Sequence, residues 1–177
     1  MTWSAAYVLA GLVLTLWLAR LWTRRRLSGE RASRPRELVH AELVHKEELF
    51  RIQEPIRLVV KVDRVYRLPT GSLVLVELKT RDQDRTYLSD IIQLSAQRLA
   101  IEIQTDAMVE PYAFVSVVGL SGKMRSHQVW LLDAAAVVDL YRRREAILTR
   151  RVSPAYASSK SACCFCALRS RCDRFGR

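Results

Sequence analysis

The stretch "VVKVDRVYRLPTGSLVLVELKT", residues 59–80, decides the fold of this chain. Runs of Val and Leu lie on either side of "LPTG", whose Pro69 and Gly71 suit a tight turn. The pattern therefore predicts two strands, at 58–66 and 73–79, that pair as a hairpin. We expect the sheet of the domain to be built around this hairpin.

Three charged residues interrupt the apolar runs of the hairpin: Asp63, Glu77 and Lys79. Ionised groups are costly to bury without partners. Since strand side chains alternate between faces, Glu77 and Lys79 share a face. Asp63 should lie nearly opposite Glu77, because each is a similar distance from the turn. The alternative is a cross-strand ion-pair set on a solvated face, but the apolar residues around these charges favour a converging site.

An acid from each strand, with a lysine two residues on, is what a divalent-metal phosphodiesterase site requires. The carboxylates of Asp63 and Glu77 would bind Mg²⁺ or Mn²⁺, hard ions that prefer oxygen ligands. The backbone carbonyl of Leu78 can complete the ligand shell. Such a metal activates water and offsets charge on the phosphate, while Lys79 would orient the nucleophile or stabilise that charge.

The rest of the chain predicts a small mixed α/β domain of four or five strands. The segment "ELVHAELVHKEELFRI" (37–52) is compatible with a helix in its first part and with the start of a strand at "ELFRI". Asp133 is a candidate N-cap for a later helix. The periodicity predicts helices over 86–104 and 133–148 and strands over 112–118 and 127–132, the last two separated by "GLSGKMRS".

A resemblance to a known family rests on one pattern of residues. Asp63 is followed, after thirteen residues, by Glu77-Leu78-Lys79 and then by a helix that carries "QLSAQ". This pattern resembles the PD-(D/E)XK nuclease superfamily. It is most similar to the RecB-like exonucleases and the CRISPR-associated exonucleases that carry an iron–sulfur cluster. The resemblance implies a restriction-endonuclease-like core, a mixed sheet flanked by helices, and a metal-dependent deoxyribonuclease. It implies metal binding by Asp63 and Glu77 and catalysis by Lys79.

The same resemblance implies two accessory roles. That branch has a Gln-x-x-x-Tyr motif on the helix after the lysine, and Gln93 matches the glutamine, with a role in substrate or metal positioning. Gln97 stands where the tyrosine is expected. The branch also has a histidine metal ligand on an early helix, for which His40 and His45 are the candidates, and we take His40.

All four cysteines fall in "ACCFCALRSRCDRFGR" near the C-terminus. Such bunching predicts a metal or cluster site rather than a disulfide framework. Thiolates at these short intervals can wrap one soft metal centre. The spacing is similar to the cluster loop of the exonucleases named above, which take a fourth cysteine from upstream, whereas this chain has none there. A [4Fe–4S] cluster is the first interpretation, zinc the second and free thiols the third, with these residues as ligands: Cys163, Cys164, Cys166 and Cys172.

Residues 3–22, "WSAAYVLAGLVLTLWLARLW", are apolar over the length of a transmembrane helix, since about 20 residues span about 30 Å. Arginines follow the stretch and none precede it, which predicts a single-pass anchor in the cytoplasmic membrane, N-terminus outside. A buried core helix is the alternative. The predicted organisation is an anchor (1–23), a basic juxtamembrane linker (24–36), a nuclease-like domain (37–152) and a cysteine-rich basic segment (153–177).

The chain is strongly basic, with 29 Lys and Arg against 18 Asp and Glu. Such an excess favours polyanionic partners, here DNA and the headgroups of the lipid bilayer. There is no ATP-binding motif, so a helicase or a repair or defence partner would be another chain. The alternative function is a catalytically weak DNA-binding or metal-cluster scaffold tethered to the membrane. The arginines predicted to contact DNA line one end of the last predicted helix and its exit loop: Arg142, Arg143, Arg144, Arg150 and Arg151.

Overall fold

The computed structural model describes residues 33–156, 160–164, 166–167 and 169–172. The chain forms two compact units, one ending at Val138 and one beginning at Asp139. Short 3₁₀ helices lie at Arg36–Leu38 and Arg169–Arg171. The other elements follow in chain order: β1 (Glu42–Ile52), β2 (Leu58–Arg67), β3 (Leu73–Thr80), α1 (Leu88–Thr105), β4 (Tyr112–Val118), β5 (Met124–Trp130), α2 (Ala134–Leu148) and α3 (Lys160–Cys164).

The five strands form one mixed sheet in the order β1-β2-β3-β4-β5. All neighbouring pairs are antiparallel except β3 and β4, which are parallel. Parallel neighbours need a crossover connection, and α1 provides it. The α/β fold with a mixed sheet is confirmed, and it fits a restriction-endonuclease-like core.

The predicted turn between β2 and β3 is confirmed. The Gly71 N–H donates to the Leu68 carbonyl over 2.9 Å, and the Leu68 N–H donates to the Ser72 carbonyl over 2.8 Å. Gly71 has φ +93, a left-handed conformation that a residue without Cβ adopts at little cost. The turn therefore fixes the register of the hairpin, with Arg67 opposite Leu73 and Arg64 opposite Val76.

The two faces of the sheet are covered differently. On one face Tyr66, Val74, Val76 and Phe114 form a buried cluster with Leu38 from the segment before β1. The alternate residues of β3 face α1, which packs on β1, β2 and β3. Because of this alternation, the face that carries Glu77 and Lys79 is the face that α1 covers.

The starts of two strands differ from the sequence predictions. Residues 37–41 do not form an α-helix, and β1 begins at Glu42, before "ELFRI", because this segment pairs with β2 from Glu42 to Ile52. Cross-strand pairing thus overrides a helix-compatible pattern. β5 begins at Met124 rather than at 127, since Met124 pairs with Val118. Its mostly polar residues suit an edge strand that faces water.

The N-terminal anchor predicted at 1–23 lies outside the described residues, as does most of the linker. Within the part of the chain that the structure describes, no helix is long and apolar enough to cross a membrane. The predicted N-cap of α2 is confirmed, because the Asp133 carboxylate accepts the Ala136 N–H over 2.8 Å. The boundaries assigned to the four segments of the chain stay predictions.

Candidate active site

The hairpin register brings Asp63 and Glu77 together. The ladder between β2 and β3 ends at the Arg64–Val76 pair, and Asp63 and Glu77 are the next residues beyond this end on their two strands. There the Asp63 carboxylate accepts the Leu78 N–H over 2.7 Å, so a side chain binds a backbone donor of β3 beyond the end of the ladder. The expectation that the two acids lie nearly opposite each other agrees with this register.

The Glu77 carboxylate is buried and held by three donors. Glu77 is 3% exposed. Its Oε1 accepts from Lys79 Nζ over 2.8 Å and from Gln93 Nε2 over 2.6 Å, and its Oε2 accepts from Gln97 Nε2 over 3.2 Å. Hydrogen bonds to an ionised acceptor are stronger than those between neutral groups. The carboxylate is thereby fixed in one orientation.

Helix α1 supplies the amide partners of this network. Gln93 and Gln97 are four residues apart and so lie on one face of the helix. The Gln93 Oε1 also accepts from Lys79 Nζ over 3.0 Å, so one side chain contacts both members of the Glu77–Lys79 pair. The role expected of Gln93 in positioning substrate or metal stays a prediction.

Gln97 is a site residue that sequence reasoning did not assign. It is 2% exposed, and its Nε2 donates both to Glu77 and to the Lys61 carbonyl, over 2.9 Å. It therefore connects α1, β2 and the buried acid. Its spacing of four residues from Gln93 was the available signal, since it occupies the position at which the resemblance expects tyrosine.

The electrostatics of Asp63 favour a cation at this point. Burial raises the pKa of Asp63; the Leu78 N–H opposes that shift, and the negative charge of Glu77 adds to it. Within the described residues the second oxygen, Oδ1, accepts no hydrogen bond. A half-buried carboxylate beside a second acid, with a free oxygen, fits a divalent cation.

The described residues contain no group of three or more His, Cys, Asp and Glu side chains arranged to hold a metal ion. The side-chain ligands near the hairpin are therefore the two acids, Asp63 and Glu77. Mg²⁺ keeps several waters and is often bound through one or two carboxylates, so this donor set fits it. The role of the Leu78 carbonyl as a further ligand stays a prediction.

The two histidine candidates are not brought into this network. His40 lies exposed in the turn before β1, and its metal role stays a prediction. His45 lies on β1, where its Nδ1 is 2.6 Å from the Glu48 carboxylate. Neither is hydrogen-bonded to Asp63 or Glu77 in the described ranges.

The predicted cysteine and arginine sites belong to the second unit. The Cys166 N–H donates to the Cys163 carbonyl over 3.3 Å, which forms a tight turn within the C-x₂-C pair. Cys163 and Cys172 are half-buried, and Cys164 and Cys166 are exposed. The arginines predicted to contact DNA are exposed: Arg142, Arg143, Arg144, Arg150 and Arg151.

Comparisons with known proteins agree with this geometry. A family model described as PD-(D/E)XK nuclease superfamily matches residues 4–173. A crystal structure of the protein SSO0001 matches with a TM-score of 0.50 and 17% identity, over 97% of this chain and 75% of that one, which is a likeness of fold. No curated protein gives a significant match. The sheet order, the paired acids and the family match over nearly the whole length lead to one conclusion: the chain belongs to the PD-(D/E)XK nuclease superfamily.

Proposed function

We propose that the chain is a Mg²⁺- or Mn²⁺-dependent deoxyribonuclease that hydrolyses phosphodiester bonds, acting on DNA ends or single strands. One observation carries the proposal. The hairpin brings Asp63 and Glu77 together, and Lys79 lies 2.8 Å from Glu77 and 3.0 Å from Gln93. Membership of a nuclease superfamily supports the reaction class.

The residues have distinct tasks in this reaction. Asp63 and Glu77 would hold the metal, which when bound supplies an activated water and neutralises charge on the phosphate. The Lys79 side chain is 28% exposed, so its ammonium can reach a substrate oxygen while two acceptors hold it in position. Gln93 and Gln97 keep Glu77 in one rotamer. A fixed donor near developing charge stabilises the transition state without reorganisation.

The test compares Glu77→Ala with a matched control, Glu102→Ala, on α1. Glu102 forms an ion pair with Arg98 on its own helix. We expect Glu77→Ala to abolish Mg²⁺-dependent cleavage of a labelled single strand and to leave DNA binding intact, and Glu102→Ala to cleave normally. Cleavage that survives Glu77→Ala would contradict the catalytic role of Glu77, and cleavage that is absent from metal-loaded wild type would favour a DNA-binding scaffold.

The exonuclease specificity rests on the resemblance to the RecB-like branch. A circular single strand has no ends, so an exonuclease leaves it intact while it digests the linear form of the same sequence. RNA of that sequence tests the preference for DNA. Cleavage of the circle at the rate of the linear strand would replace the exonuclease proposal with an endonuclease.

The cysteine segment is proposed to hold a [4Fe–4S] cluster, with zinc as the alternative. The turn between Cys163 and Cys166 supports a common ligand site for this pair. An absorbance band at about 400 nm in anaerobically purified protein, lost on Cys166→Ser, is expected for the cluster. Stoichiometric zinc without the band supports the alternative, and the absence of both metals contradicts a metal centre.

The membrane anchor is a further proposal, supported by the apolar sequence of residues 3–22. The family match begins at residue 4 and so includes this segment, which makes a core helix the competing assignment. Alkaline carbonate extraction of membranes distinguishes the two assignments. An anchored protein stays in the membrane pellet, whereas a protein in which residues 3–22 form a core helix is released into the supernatant. A helicase or repair partner would be identified among the proteins that remain bound to the chain in the membrane pellet.

A further inference from the structure

The connection between β3 and α1 carries a stacked group of cations and an aromatic ring. The guanidinium carbons of Arg81 and Arg85 each lie 4.6 Å from the centroid of the Tyr87 ring. A guanidinium over an aromatic face is attracted by the ring quadrupole. The Tyr87 hydroxyl donates to Gln83 Oε1 over 2.9 Å, so the ring itself is held within the connection.

This stack lies beside the catalytic network. Arg81 follows Lys79 by two residues, and its guanidinium pairs with Asp90 over 2.8 Å. Asp90 and Gln93 are three residues apart on α1 and so are neighbours on its surface. The Arg81–Asp90 pair and the Lys79–Gln93 pair therefore lie side by side, and the stack begins at Arg81, two residues after the catalytic lysine.

The two arginines of the stack differ in whether their charge is paired with a carboxylate. Arg81 is neutralised by Asp90, whereas Arg85 is exposed and forms no ion pair within the described ranges. The nearby Asp84 carboxylate is bound instead by Arg125, over 2.7 Å, and by His127, over 2.6 Å. The Arg85 charge is thus left available and is already oriented by the ring.

We propose that Arg85, held on Tyr87, binds a backbone phosphate of the nucleic-acid strand next to the bond that is cleaved. This inference rests on the proposed nuclease function. A planar guanidinium binds phosphate oxygens in a bidentate manner, and a side chain that is already ordered loses less entropy on binding. Phosphate contacts position a strand without reading its bases, so the contact is independent of sequence.

The test measures binding in EDTA, where no metal-dependent cleavage occurs, by fluorescence anisotropy of a labelled DNA single strand. For Arg85→Ala we expect affinity to fall roughly five- to tenfold, and the slope of log affinity against log salt to shrink by about 0.7, the value for one lost phosphate contact. The matched control is Arg57→Ala, an exposed arginine in the β1–β2 connection, which should change neither quantity. Tyr87→Phe keeps the ring and should bind like the wild type.

The outcomes separate this inference from the proposed function. If Arg85→Ala equals Arg57→Ala in affinity and salt slope while the wild type still cleaves with dependence on Glu77, only the Arg85 inference is overturned. If the wild type neither binds nor cleaves DNA, the nuclease proposal fails and takes the inference with it. Weaker binding of Arg85→Ala to vesicles of anionic phospholipid, with unchanged DNA binding, would assign the residue to a membrane surface and also overturn it.

Discussion

Two buried acids of the first unit, Glu77 and Asp90, show how a site differs from a structural ion pair. Each is 3% exposed and each has a cation at 2.8 Å, Lys79 for Glu77 and Arg81 for Asp90. Their surroundings differ. Glu77 faces a second acid, Asp63, across the hairpin, whereas the bonds of Asp90 are to a guanidinium and to the start of its own helix.

The pKa shifts of Asp63 and Asp90 are opposite for this reason. Burial raises the pKa of Asp63, and the charge of Glu77 raises it further. Burial also raises that of Asp90, but the Arg81 guanidinium and the Tyr87 N–H more than offset it, so the pKa of Asp90 is lowered. Asp90 is thus neutralised by the protein alone. The Asp63–Glu77 pair at the hairpin instead retains negative charge that a divalent cation would neutralise. Variants of these acids test the contrast.

The largest effect is expected for Asp63→Asn. Asparagine keeps an oxygen that can accept the Leu78 N–H, but it removes the charge that would bind the metal. We expect cleavage to fall by at least about 10³-fold, about 4 kcal/mol in the barrier. Mg²⁺ should also raise the Tm of the wild type and not that of the variant. An equal Mg²⁺ shift in both proteins would show that the metal binds elsewhere.

Asp90→Asn should act on stability instead. The change leaves the Arg81 guanidinium without its counter-charge in a site where Arg81 Nε is already buried and unbonded. Loss of one partner of a buried ion pair costs about 3 kcal/mol, so the urea midpoint should fall while cleavage by the folded fraction persists. A loss of cleavage with an unchanged midpoint would make Asp90 part of the site and remove the contrast.

The core of the site could be predicted from sequence because strand geometry is local. A period of two and a short turn fix which residues of a hairpin face each other, so Asp63 and Glu77 followed from the distance of each to the LPTG turn. Contacts across elements could not be derived this way. Gln97 is bonded to both Glu77 and Lys61 only because α1 packs across β2 and β3.

The start of β1 shows the same limit. Residues 42–47 are compatible with a helix when read alone, and only their pairing with β2 makes them a strand. The stack of Arg81 and Arg85 on Tyr87 likewise depends on the path of the β3–α1 connection, which no periodicity encodes. The sequence pattern therefore predicted the pairing of Asp63 with Glu77, whereas the side-chain contacts that orient these acids depend on tertiary packing.

Gln97→Leu tests whether the side-chain contacts that orient Glu77 contribute to stability and metal binding. Leucine fits a buried position but leaves the Lys61 carbonyl and one Glu77 oxygen without their donor, at about 2 kcal/mol. We expect a lower urea midpoint and a weaker Mg²⁺-dependent rise in Tm, because Glu77 is less well oriented. Gln104→Leu on the same helix, where an exposed amide accepts one backbone N–H from Arg51, should cost less than about 1 kcal/mol.

The smallest effect concerns pH and metal-free stability. Because the folded-state pKa of Asp63 lies above its ordinary value of 3.8, the fold favours the protonated acid. The contribution of Asp63 to stability is therefore fully present below pH 3.8 and is lost as pH rises through the folded-state pKa. An asparagine side chain at this position does not titrate and so avoids this loss.

In EDTA we therefore expect Asp63→Asn to be more stable than the wild type at pH 7, by roughly the 0.5–2 kcal/mol of common stabilising substitutions. The difference should shrink as pH falls toward 3.8, and Mg²⁺ at pH 7 should reverse it by stabilising the wild type alone. Thermal unfolding of both proteins across pH, with and without Mg²⁺, measures all three. A variant that is less stable than the wild type in EDTA at pH 7 would mean that Asp63, like Asp90, is already neutralised by the protein, and the distinction between the two acids would be lost.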